Sequence, residues 1–132
     1  MTAYASAHDE TIFCVDELVE ALGNDERAVR RVVRIVRDCI SLGIEPLNMA
    51  GEAVQQARFM EARRIVHQLR DSVTELGAKR FVAACLGLEL ALAEGKVLQI
   101  PLLFSAAESE LRVLIEHAGA WLDQHEGRAA AR

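Results

Sequence analysis

Residues 63–78 read RRIVHQLRDSVTELGA, and the spacing of the apolar residues in and around this stretch decides the fold. Take Leu69 as the zero direction of a helix with 3.6 residues per turn. Ala62, Ile65, Val66, Val73 and Leu76 then fall within about 60° of it, and Phe59 about 80° away. These residues form the core face of a helix over roughly 59–76. His67 lies about 160° from Leu69, almost opposite that face. Met60, Arg63, Arg64, Arg70, Asp71 and Thr74 share its side. The pattern predicts an imidazole held out to solvent and excludes a hydrogen-bonded core histidine.

The same periodicity extends outward. DELVEAL (16–22) reads as a short helix stopped by Gly23. NDERAVRRVVRIVRDCISLG (24–43) follows, with Asn24 as the expected N-cap and Gly43 as the stop. Val29, Val32, Val33, Val36, Cys39 and Ile40 line one face of it. Arg27, Arg30, Arg31, Arg34 and Arg37 line the other, a charged face that is either plainly solvated or meets an acidic partner. Pro46 suits the first turn of EPLNMAGEAVQQ, read either as a new helix or as a kinked continuation of the preceding one. A break near Ala57–Arg58 leads into the His67 helix. After Gly77, residues 78–95 carry a core stripe of Phe81, Ala84, Cys85, Leu88 and Leu92. Pro101 interrupts KVLQIPLLF (96–104), which reads as a connection lying across the bundle, with Val82, Leu86 and Leu90 beneath it. SAAE (105–108) has capping-box spacing and is expected to open the last helix.

The expected fold is therefore all-α: an antiparallel four-helix bundle with a short additional N-terminal helix. Residues 1–13 read as a loose arm, 14–126 as the bundle and 127–132 as a frayed tail. The chain of 132 residues is long enough for one core without disulfide or metal staples. Its 52% hydrophobic and 5% aromatic content favours helices over a β-sandwich. A net charge of −5 argues against a nucleic-acid-binding protein. Three widely separated cysteines without ligand spacing, no basic-then-apolar leader and no apolar run of spanning length predict a cytoplasmic protein that does not enter the membrane.

Residues three and four apart are neighbours on a helix, so Arg63, Arg64 and Arg70 surround His67. Three guanidiniums beside an exposed imidazole suit a phosphoryl group on the ring, and Thr74 adds a hydroxyl. A metal site is disfavoured, because Asp71 at i+4 offers only one further ligand. His8, His117 and His125 have no comparable basic setting.

The run His67-Gln68-Leu69-Arg70-Asp71-Ser72-Val73-Thr74-Glu75-Leu76-Gly77-Ala78 resembles the signature of histidine-phosphotransfer domains. That signature is His, any residue, Leu, Lys, Gly, Ser, a small residue, two variable positions, an apolar residue, then Gly-Ala. His67, Leu69, Ser72, Leu76, Gly77 and Ala78 match. The likeness extends over roughly residues 15–120, through LGNDERAV, EARRIVH and LGLELALAEGK. It implies a phosphocarrier rather than an enzyme, with His67 taking a phosphoryl group from a receiver-domain aspartate and passing it on. It also implies partners, a response-regulator receiver domain and/or a hybrid histidine kinase, and no cofactor of its own, since the receiver supplies Mg²⁺ and a lysine. On this analogy Arg63, Arg64 and Arg70 neutralise charge, Gln68 and Thr74 orient the phosphate, and Met60 belongs to the docking surface beside Asp71.

Two positions depart from the signature. Arg70 replaces lysine, keeping the charge but changing its geometry. Asp71 stands where the family has glycine. At roughly 5–6 Å its carboxylate repels a phosphoryl group by about 1 to 3 kcal/mol per unit charge. The alternative reading is thus an adaptor that binds a kinase or receiver without phosphotransfer. A helical domain unconnected with signalling is the third.

Overall fold

The computed structural model describes residues 9–130, with side chains through residue 126. Among these residues there are six α-helices and no strand: α1 (Asp16–Ala21), α2 (Glu26–Ile40), α3 (Glu45–Gln55), α4 (Phe59–Val73), α5 (Lys79–Glu94) and α6 (Ile100–Ala130). A single 3₁₀ turn, Thr74–Leu76, continues α4. His8 and the rest of residues 1–8 lie outside the described part.

Apolar stripes determine how the helices meet. Ala62, Val66, Leu69 and Val73 of α4 are buried, with Ile65 and Phe59 partly so, as the helical repeat predicts. Phe81, Cys85, Leu88 and Leu92 form the buried stripe of α5. Val32 and Val36 are fully buried on α2, while Arg27, Arg30, Arg31, Arg34 and Arg37 are exposed. Helix α4 packs on both α3 and α5, α5 packs on α6, and α6 packs on α2, which also carries α1. One continuous core results, running from Val15 to Leu122. No helix among the described residues is long and apolar enough to cross a membrane.

The turns explain where each helix stops. Ala57 takes a left-handed conformation at φ 58, and Arg58 N–H donates back to Ala53 O at 2.8 Å, separating α3 from α4. Gly43, at φ 58, makes α3 a new helix rather than a continuation of α2. The N-cap of α2 is Asp25, not Asn24. The Asp25 carboxylate accepts from Ala28 N–H at 2.8 Å, while Asn24 occupies the preceding left-handed turn at φ 53.

Two segments differ from the sequence reading. Residues 100–104 are the opening of α6, not a connection across the bundle. Pro101 falls in the first turn, where its missing N–H has no intrahelical acceptor to lose. Ile100 is buried there, Leu103 and Phe104 pack against the core, and Ser105 lies inside the helix instead of capping it. Leu86 and Leu90 are consequently uncovered, at 49% and 58% exposure, and Val82 is half-buried. Residues 9–13 are tied down rather than loose. Ile12 is buried, Arg80 N–H donates to Thr11 O at 2.9 Å, and Arg80 pairs with Asp9 and Glu110. At the other end, α6 keeps its helical backbone through Ala130.

Candidate functional site

Helix α4 presents His67 away from its buried stripe, and the imidazole side chain is 49% exposed. Its partners come from two helices. Arg70 and Asp71 lie one turn along α4, and Glu89 reaches across from α5. Nδ1 sits 3.0 Å from Glu89 Oε1 and 2.6 Å from Arg70 Nη2. On the other side of the ring, Nε2 sits 3.3 Å from Asp71 Oδ2.

Glu89 is the only buried charged residue among those described, with its side chain 8% exposed. A lone carboxylate in that position would be costly, so its partners matter. Arg70 binds it with two nitrogens, Nε at 2.6 Å from Oε2 and Nη2 at 3.3 Å from Oε1. Burial pushes the Glu89 carboxyl upward, but the hydrogen bond from Arg70, joined by one from His67 when its proton is on Nδ1, outweighs it and holds the group below the usual glutamate range. Hydrogen bonding to Glu89 likewise raises Arg70 above the usual arginine range. One turn before Glu89, the Cys85 thiol is pushed up to about 12, first by burial and then by the Glu89 charge. It is held as a neutral thiol.

A neutral imidazole carries one ring proton, so it serves these partners in two ways. With the proton on Nδ1, the ring donates to Glu89, and the Nε2 lone pair faces outward beside Asp71. With the proton on Nε2, the ring donates to Asp71, and Nδ1 accepts from Arg70. In the first arrangement the outward nitrogen is a nucleophile. In the second it is capped.

The surroundings are more acidic than the sequence reading anticipates. Among the described residues, the ring's ion-pair and hydrogen-bond partners are one guanidinium, Arg70, and two carboxylates, Asp71 and Glu89. Arg63 and Arg64 are exposed one turn before the histidine and make no hydrogen bond to it; Arg64 pairs with Glu61, at 3.9 Å. The Thr74 hydroxyl donates to Arg70 O at 2.9 Å, back along its own helix, and is not aimed at the ring. Gln68 is exposed, about 100° around the helix from His67. Met60 is 60% exposed on the His67 side of α4.

Other motif positions perform structural tasks. Leu69, Leu76 and Ala78 are buried, and Ser72 Oγ donates to Leu69 O at 2.7 Å. Cys14 N–H donates to Leu76 O at 2.8 Å where the N-terminal segment crosses Gly77. The remaining described histidines are engaged by their own helix: His117 Nδ1 lies 2.9 Å from Val113 O, and His125 Nδ1 lies 2.8 Å from Trp121 O. Near the crossing, Glu10, Cys14 and Asp16 bring ligand atoms within 4.8 Å of one another. Burial raises the Cys14 thiol, which makes it a poor thiolate ligand there.

No protein-family model matches this chain, and neither does any curated protein or solved structure.

Proposed function

We propose that this protein is a phosphorelay intermediate with His67 Nε2 as the phosphoryl acceptor. The carrying observation is the pairing of an exposed imidazole with a buried Glu89–Arg70 ion pair. Within that pair, Glu89 lies 3.0 Å from the inner ring nitrogen, and the outer nitrogen lies on the opposite side of the ring beside exposed Asp71. In the Nδ1–H form, the Nε2 lone pair attacks the phosphorus of a receiver's aspartyl phosphate. A P–N bond forms, the P–O bond to the aspartate breaks, and the electron pair leaves on the aspartate oxygen. The resulting phosphoimidazolium keeps its proton on Nδ1 against Glu89, which offsets the new positive charge.

Nothing in this step requires a cofactor on this chain. The receiver brings Mg²⁺ and a lysine, while this chain contributes a rigid helix and a place to dock. Helices α2, α4, α5 and α6 are read as an antiparallel four-helix bundle that displays the acceptor on its flank, in the cytoplasm. Met60 on α4 and Leu86 and Leu90 on α5 are exposed apolar residues on the two helices that form the site, and they suit a docking receiver or hybrid kinase. Arg63 and Gln68 are exposed and can meet phosphate oxygens once a partner has docked, and Arg64 can join them by leaving its 3.9 Å pairing with Glu61.

The test is incubation with phosphorylated receiver domains. Acid-labile, alkali-stable phosphate should appear on the wild-type chain and be absent from His67→Gln. Labelling of His67→Gln at the wild-type level would remove His67 from the role. Asp71 Oδ2, close to Nε2, favours a second reading: an adaptor that docks without accepting phosphate. In that case receivers bind, but neither the wild-type chain nor Asp71→Gly is labelled.

A further inference from the structure

The two carboxylates at His67 compete for a single ring proton from opposite sides. Glu89 is buried and fixed by Arg70, and it draws the proton to Nδ1 at 3.0 Å. Asp71 is 60% exposed and tethered only at long range, Oδ1 lying 3.6 Å from Arg70 Nη1, and it draws the proton to Nε2 at 3.3 Å. Arg70 tips the balance. Its Nη2 lies 2.6 Å from Nδ1, and a guanidinium is always a donor, so this approach is attractive only when Nδ1 carries a lone pair. Arg70 and Asp71 therefore act together, and both favour the tautomer in which the outward nitrogen is protonated.

We propose that Asp71 is a tautomer gate: by accepting from Nε2–H it holds His67 in a non-nucleophilic form until its carboxylate is drawn away. This rests on the phosphate-acceptor reading of His67 and specifies how that site is regulated. In the closed state the only ring lone pair points at Arg70 Nη2, 2.6 Å away, and is taken up by that donor. Removing the Asp71 charge leaves Glu89 as the sole carboxylate acceptor, and its charge at 3.0 Å from Nδ1 then outweighs Arg70, whose Nη2 turns to its other acceptor, Glu89 Oε1, at 3.3 Å. The proton moves to Nδ1 and the Nε2 lone pair opens to solvent. A partner presenting an ammonium or guanidinium opposite Asp71 achieves the same without a mutation, so the gate selects partners by charge. Asp71 is a positioning residue here, acting through the ring rather than on phosphate.

Long-range ¹H–¹⁵N correlation spectra of the labelled full chain distinguish the two tautomers directly. They are recorded two pH units above the ring's own titration midpoint, found in the same series. Expected are mainly Nε2–H in the wild-type chain and in Asp71→Glu, which keeps the carboxylate, and mainly Nδ1–H in Asp71→Ala. Glu89→Gln should stay with the wild type. Phosphoramidate, a small donor that needs no docking, should label Asp71→Ala about tenfold faster than the wild type, the scale of one charge-assisted hydrogen bond. A wild-type ring already carrying Nδ1–H, or the same tautomer in Asp71→Ala as in the wild type, overturns the gate. If the tautomer moves as stated but no form ever takes phosphate, the gate stands and the phosphocarrier reading falls. Asp71 is exposed and alanine is a strong helix former, so the variant keeps its fold.

Discussion

Glu89 binds Arg70 with both oxygens and places one of them 3.0 Å from His67 Nδ1, so a single buried carboxylate meets both side chains of the site. Its partners hold its folded pKa below the ordinary value, and this sets the sign of a pH effect. Protonation is harder in the folded state, so the group's contribution is full above the usual glutamate range and is lost as pH falls through the depressed folded value. Glu89→Ala strands Arg70, whose side chain is only 17% exposed, and should cost about 3 kcal/mol near pH 7. Urea unfolding at stepped pH should show this difference shrinking below about pH 4. An equal difference at pH 3 and pH 7 would mean that the carboxylate's charge is not what stabilises. The sequence did not make this residue legible. His67 and Arg70 advertise themselves on one helix by spacing. Glu89 is one carboxylate at the edge of an apolar stripe, LGLELALAEG, and no helical wheel shows which neighbouring helix it faces. The available signal is a charged residue next to Leu88, on the core side of a helix otherwise rich in Ala and Leu.

Among the elements, α4, α5 and α2 were readable because their apolar residues recur at the helical repeat over several turns. The start of α6 was not. Pro101 resembles a breaker until the helix start is known, and the SAAE run imitates a capping box in a segment that is already helical. The 3₁₀ turn after α4 shows why Gly77 and Ala78 sit together. Gly77 has φ 67, and a Cβ on it would stand 2.4 Å from the Cys14 carbonyl oxygen, which belongs to backbone held by the Cys14–Leu76 hydrogen bond. Gly77→Ala should therefore destabilise by about 2–4 kcal/mol, combining left-handed strain with the clash. Chemical denaturation reads this directly, and a loss below about 0.5 kcal/mol would show that the crossing yields.

On the scale of the whole molecule, core and surface divide the labour plainly. The core joins the helices through mostly aliphatic side chains together with Phe81 and Cys85, and His67, Arg70, Asp71 and Glu89 meet where α4 packs on α5. Arg37 pairs with Glu126 of α6, joining the arginine-rich face of α2 to the far end of the longest helix. The exposed leucines of α5 could not be assigned from sequence, because their exposure depends on whether residues 96–104 cross over them, a tertiary fact.

Cys85 is fully buried directly beneath this flank, one turn from Glu89, and its thiol is held far from ionisation. It is a native reporter. A thiol reagent can modify it only when α5 lifts from its neighbours, so its alkylation rate clocks the breathing of the floor under His67. Glu89→Ala should accelerate that clock by more than tenfold, while half-buried Cys39, on α2, reacts at its former pace. Peptide mass mapping of a timed iodoacetamide reaction would show the contrast, and equal acceleration at both cysteines would mean that the whole core opens together.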